Sequence, residues 1–177
     1  MDVLVKVRST LGTYSGEDVR SMLKEDHEVI LDLAKELAET TSGARRRTLV
    51  TQLKPLLIAH SRAEEQAVYV PLTELRDSPD SRLAGSEGAV EHSLVDILLG
   101  RMFDTKDTAT DMWRAHAKVL HESLDHHIKE EEGAMFEELG EHFSEEERTS
   151  MGARFEQRRA ELLAEIGAAD PLARKKG

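Results

Sequence analysis

Two stretches of this chain share an arrangement of side chains that can do metal chemistry. In "HSRAEEQAVY", His60 is followed four positions later by Glu64; in "HIKEEEGAMF", His127 is followed four positions later by Glu131. On a helix this spacing puts both donors on one face, about 6 Å apart at Cβ. Imidazole nitrogen and carboxylate oxygen both bind divalent cations. Two carboxylates can also bridge a pair of ions held about 3.5–4 Å apart.

The donors must be positioned by helices, and the apolar pattern supplies them. Trp113, Ala117, Leu120, Leu124, His127, Glu131 and Ala134 recur in alternating steps of four and three, so they line one inward face. Leu53, Leu57, His60, Glu64 and Ala67 repeat the same stripe. Leu23, His27, Ile30, Ala34 and Leu37 make a third, and Gly88, His92, Val95, Leu99 and Met102 a fourth. Each stripe carries one histidine where leucine is expected. The spacing from His27 to His60 is 33 residues and from His92 to His127 is 35. Two helical hairpins therefore face each other, each bringing a His and then a His-x-x-x-Glu.

Burying such a layer uncompensated is unfavourable, because an unpaired interior carboxylate costs several kcal/mol or takes up a proton. A metal site removes that cost. Chance pairs also exist: His121/Asp125, His126/Glu130 and His142/Glu146 have the same spacing on Glu-rich helical surface. His126 competes directly with its neighbour, and the heptad line selects His127. Glu65, Glu130, Glu132 and Glu137 read as a solvated face. Tyr69 and Phe136, nine residues after their histidines, fall on the opposite side of a regular helix, so Tyr69 is expected in a packing or surface role.

Around these stripes the chain divides into a lead-in over 1–16, a four-helix bundle over 17–140, and a C-terminal helix with a frayed tail over 141–177. Helices are expected at 17–39, capped by Ser15 or Ser21, and at 44–76, with Pro55 marking a kink or a late start. Others are expected at 87–103, from Asp107 or Thr108 to about 139, and from a Ser144/Glu147 capping box to about 166. Short joints give an all-α, antiparallel up-down-up-down four-helix bundle, with the additional helix on an outside face. The net charge of −11 argues against nucleic acid or an anionic membrane as partner. The absence of cysteine excludes disulfides and thiolate chemistry. No signal peptide or membrane-length apolar run is present, so a cytoplasmic location is expected.

At His27, His60-x-x-x-Glu64, His92 and His127-x-x-x-Glu131, the sequence resembles the hemerythrin family, in its HHE cation-binding branch, over residues 20–140. The resemblance implies a non-haem pair of iron ions, oxo- or hydroxo-bridged. It implies that Glu64 and Glu131 bridge them, that His27 and His60 serve one, and that His92 and His127 serve the other. Zinc or manganese would satisfy the same donors. In oxygen-carrying members the third helix has a second histidine where this chain has Asp96, and the last acid comes five rather than four after its histidine. That departure implies an additional open or water-filled position and argues against stable oxygen carriage. Asp96 stands as a ligand or as an acceptor for an imidazole N–H. The expected function is binding or sensing of O2, NO or peroxide. Removal of peroxide or NO by turnover, and iron handling or iron sensing without turnover, are the alternatives.

Overall fold

A computed structural model describes residues 16–169. The expected lead-in, Ser15 included, lies outside them up to residue 15, as does the tail from residue 170. Five helical rods are packed together. The first is α1 (Val19–Glu39). The second is α2 (Gly43–Glu64), a π-helical turn (Glu65–Tyr69) and α3 (Val70–Thr73). The third is α4 (Pro79–Asp104). The fourth is α5 (Asp111–Glu130), a second π-helical turn (Glu131–Met135) and α6 (Phe136–His142). The fifth is α7 (Glu145–Ile166). Among the described residues, no helix is long and apolar enough to cross a membrane.

Each rod begins at a side chain that accepts from a free backbone N–H: Asp18, Ser42, Ser78, Thr110 and Ser144. The Ser144–Glu147 capping box forms as expected. Three starts differ from expectation. Asp18, not Ser21, caps α1: it accepts from the Arg20 N–H at 3.0 Å, and its carboxylate is clamped by the Arg20 and Arg148 side chains, both at 2.8 Å. Burial pushes its pKa up, but the two arginines outweigh that and hold it at about 2. Thr110, not Asp107 or Thr108, caps α5; Thr108 is buried, and its carbonyl accepts from Arg46 at 2.6 Å. α4 starts at Pro79 rather than near 87, because "SPDS" is a helix start with a cap, a proline in the first turn and an acid behind it. α2 begins at Gly43 and runs through Pro55, so the proline does not delay it; buried Leu49 and Leu53 before it and Leu56 and Leu57 after it hold the rod in place.

The first four rods form a ring in which α1 packs on α2, α2 on α4, α4 on α5 and α5 on α1. α7 lies outside this ring against α2 and α1. Inside it, two apolar layers are separated by a polar one. One apolar layer runs from Ile30, Leu53 and Leu99 to Trp113 and Leu124. The other gathers Leu23, Val68, Leu72, Met135, Leu139 and Phe155. The π-helical turns belong to the passage between them. After both Glu64 and Glu131, buried apolar residues fall at the fourth, fifth and eighth positions (Val68, Tyr69, Leu72; Met135, Phe136, Leu139); in the first rod the small Ala67, at the third, is buried as well. An uninterrupted α-helix puts its inward face at the third, fourth and seventh. One additional residue in each rod is absorbed by a wider turn. As a result Ala134, expected on the core stripe, is exposed, and Met135 takes its place.

Two glycines on α4 should respond oppositely to alanine. A Cβ at Gly88 would stand 2.5 Å from the Tyr69 ring, whereas one at Gly100 meets nothing within 4 Å. Gly88→Ala should destabilise by about 1–3 kcal/mol through overpacking, and Gly100→Ala should stabilise by about 0.5–1 kcal/mol. Urea denaturation of the two variants checks both signs.

Candidate metal centre

The polar layer holds all six sequence-predicted residues. α1 brings His27, α2 brings His60 and Glu64, α4 brings His92, and the fourth rod brings His127 and Glu131; each is 4% exposed or less. The imidazoles stand in two pairs, His27 with His60 and His92 with His127, with ring centroids 5.1 Å and 4.8 Å apart. Each carboxylate spans the two pairs. Glu131 approaches His27 Nε2 and His127 Nε2, both at 3.3 Å. Glu64 Oε2 approaches His60 Nε2 and His92 Nε2, both at 3.5 Å.

Every imidazole is oriented by a carboxylate on its outer nitrogen. His60 Nδ1 meets Asp26 at 3.1 Å, His92 Nδ1 meets Glu65 at 3.1 Å, His127 Nδ1 meets Glu91 at 2.6 Å, and His27 Nδ1 meets Glu132 at 3.0 Å. A proton held on Nδ1 by these acids leaves each Nε2 lone pair facing inward, the arrangement a metal-binding histidine needs. The four contacts close a ring: α1 orients the histidine of α2, the second rod that of α4, α4 that of α5, and the fourth rod that of α1. Each of these acids is also the chain neighbour of a predicted donor: Asp26 of His27, Glu65 of Glu64, Glu91 of His92, and Glu132 of Glu131. That adjacency, four times over, is a signal present in the sequence. Glu65 and Glu132, expected on a solvated face, are instead part of this ring.

Further out, basic side chains hold the acids. Arg159 of α7 binds Asp26 at 2.7 Å, both side chains being 7% exposed. Arg62 binds Glu65 at 2.6 Å and also grips Asp96. Asp96 therefore stands outside the donor cluster, two links from His92. His126 points to solvent, 65% exposed beside Glu130, so the heptad line correctly separates it from His127.

Tyr69 is the main correction. The π-helical turn absorbs one residue, so nine positions rotate like about eight and bring the phenol round to the centre. It is buried, stacks on His92 with centroids 5.3 Å apart, and donates to Glu131. Gly88 provides the space for its ring.

The inner atoms lack partners. Glu64 Oε1 and Oε2, Glu131 Oε2 and His27 Nε2 are buried without a hydrogen bond. His92 Nε2 and His127 Nε2 face each other at 3.1 Å. Such orphaned acceptors are costly in a dry interior unless a cation sits among them. The donors divide into two overlapping sets, His27–His60–Glu64 and Glu64–His92–His127–Glu131, each with ligand atoms within 4.8 Å of one another. The cluster therefore suits a metal site, with Glu64 common to both sets.

Electrostatics agree. Burial, then the charge of Glu131, pushes the Glu64 carboxyl well above the usual range. Burial also acts upward on Glu131, but the facing His127, His27 and His92 outweigh it and hold that carboxyl low. Burial pushes the His60 imidazole down to about 4, against the pull of Asp26. For His127 burial is outweighed by Glu131 and Glu91, and its pKa rises. Burial, then Glu64 and Glu131, pushes the Tyr69 phenol up, so it stays protonated. A cleft of about 170 Å³ beside Gly88 and Met135 reaches His127, Glu131 and Tyr69. On the opposite side, Phe155 of α7 closes over His60, with ring centroids 5.6 Å apart.

Two outcomes follow. The raised pKa values of Glu64 and His127 make both groups hold protons to higher pH than usual, and a divalent cation must displace those protons, whereas His60, at about 4, is already neutral at neutral pH. Metal uptake by the apoprotein should release protons and weaken as pH falls, which calorimetry in buffers of different ionisation enthalpy would detect. Arg159→Met strands the Asp26 carboxylate and should lower stability by about 3 kcal/mol. Chemical denaturation of the variant checks that loss.

The family profile described as the hemerythrin HHE cation binding domain matches residues 18–139, from the cap of α1 into α6, leaving α7 outside. Neither a curated protein nor a solved structure matches the chain. With the profile spanning well over half of the sequence and all six donors inside it, the chain belongs to the hemerythrin HHE cation-binding domain family.

Proposed function

We propose that the bundle core holds two iron ions and that the protein binds or senses O2, or a related small ligand such as NO or peroxide. One observation carries this: each buried carboxylate lies between one imidazole of each pair, and Glu64 Oε1 and Oε2, Glu131 Oε2 and His27 Nε2 are buried there without a hydrogen bond. His27 and His60 would hold one ion and His92 and His127 the other, with Glu64 and Glu131 spanning both. Zinc or manganese fits the same donors; the matched family is described only as cation-binding, and iron is favoured by the resemblance carried by the six residues. Two bound irons would supply electrons and a coordination position for a small ligand.

The chain's own groups define what that position can accept. The cleft, about 170 Å³, admits a small ligand to the side of His127 and Glu131. With four neutral imidazoles and only two carboxylates, the donor set brings little negative charge to the ions, which favours ligand binding over strong oxidation. Tyr69 presents a protonated hydroxyl beside the cleft; its one O–H is donated to Glu131, and turning it away from Glu131 would let it donate to an anionic ligand instead. The same phenol favours a second reading, removal of peroxide or NO by turnover, since both reductions consume protons.

Metal analysis with an optical spectrum tests the proposal. Two irons per chain, with a charge-transfer band that appears in air and bleaches on reduction, are expected; one zinc and no visible band would overturn the iron assignment. His127→Ala should cut metal content at least by half, and His126→Ala should leave it unchanged. Peroxide consumption by the iron-loaded protein at no more than the rate of free iron would remove the turnover reading.

A further inference from the structure

Among the described residues, one donor cluster lies outside the buried centre. Glu91, His126 and Glu130 each present a ligand atom, and these atoms lie within 4.8 Å of one another. His126 Nε2 and Glu130 Oε1 are 3.3 Å apart, with both side chains more than half exposed. An exposed His/Glu pair on a Glu-rich helix is ordinary solvated surface. Two features set this one apart. Glu91 also accepts from His127 Nδ1 at 2.6 Å, so one side chain touches both the outer cluster and the centre. Glu91 and Glu130 also line the cleft whose inner wall is His127 and Glu131; Glu131 is 4% exposed, and its Oε2 has no hydrogen-bond partner.

We propose that Glu91, His126 and Glu130 form a transit site for a divalent cation, from which the ion passes through the cleft to the buried donors. This rests on the two-metal reading of the centre. One imidazole and two carboxylates are a sufficient donor set for first capture of such an ion. Exposure keeps the capture weak and reversible, while the six inward donors hold the ion more tightly, so transfer runs downhill. Glu87 adds a further acid along the cleft, and the net charge of −11 draws cations toward the protein. Gly88 and Ala84 line the passage and project no long side chain across it. On the His60 side, Phe155 packs edge-on against the imidazole.

Cobalt(II) uptake by the metal-free protein, followed by stopped-flow visible absorption, tests the proposal; Co(II) reports its ligation directly and resists air oxidation. The double variant His126→Ala/Glu130→Gln should load about tenfold more slowly at limiting Co(II) and reach the same final content per chain as the wild type. His121→Ala/Glu122→Gln removes one histidine and one acid from the same helix outside the cleft, and should load at the wild-type rate. An unchanged rate in the first variant, or equal slowing in the second, would overturn the transit site. A lower final cobalt content in the first variant would also overturn it, by assigning these residues to the centre itself. Failure of the wild type to take up Co(II) into the core would instead contradict the two-metal reading.

Discussion

The structure is organised around one constraint: four imidazoles and two carboxylates are buried together in the middle of a helical bundle, and that layer is tolerable only if positive charge lies at its centre. Each helix of the ring gives up apolar positions to the layer, and the two apolar layers on either side must hold the rods while it does so. An interior carboxylate without a partner is among the costlier things a fold can contain. Here both oxygens of Glu64 lack a hydrogen bond, and burial beside Glu131 pushes the Glu64 carboxyl well above the usual range. A cation among the six residues would offset both costs.

Charge alternates outward from that centre. The inner donors are surrounded by Asp26, Glu65, Glu91 and Glu132, each hydrogen-bonded to the outer nitrogen of a histidine on the next rod. Arg159, Arg62 and Lys24 then balance three of those acids. Because the ring passes from rod to rod, no imidazole is oriented by its own helix. The metal site and the bundle packing are therefore one structure: shifting any rod along its axis breaks the contact that aims its neighbour's histidine. α7 enters this scheme from outside the family's matched span. Through Arg159 and Phe155 it braces and covers the His27/His60 half, leaving the His92/His127 half to communicate with solvent.

Much of this was legible in the sequence because a helical stripe is strongly periodic, and a histidine on a leucine line is conspicuous. The inward placement of the six candidate donors, of His127 rather than His126, and the Ser144 cap all followed from period and spacing. What escaped has physical reasons. The heptad template assumes one turn size, so it could not show that both His-x-x-x-Glu rods widen just after the glutamate, which sends Ala134 to solvent and brings Tyr69 inward. The orienting acids were hidden among many glutamates, since a carboxylate that accepts from an imidazole on another helix looks, along its own chain, like one facing water. Pro79 fell in the joint expected between residues 76 and 87, because serine, proline and aspartate serve equally at turns and at helix starts.

Iron K-edge X-ray absorption on the reconstituted protein tests the central claim most directly. The account predicts a metal–metal vector at about 3.5–4 Å, together with the multiple-scattering pattern of imidazole at both ions. Iron bound without a neighbouring metal, or without imidazole scattering, would contradict it.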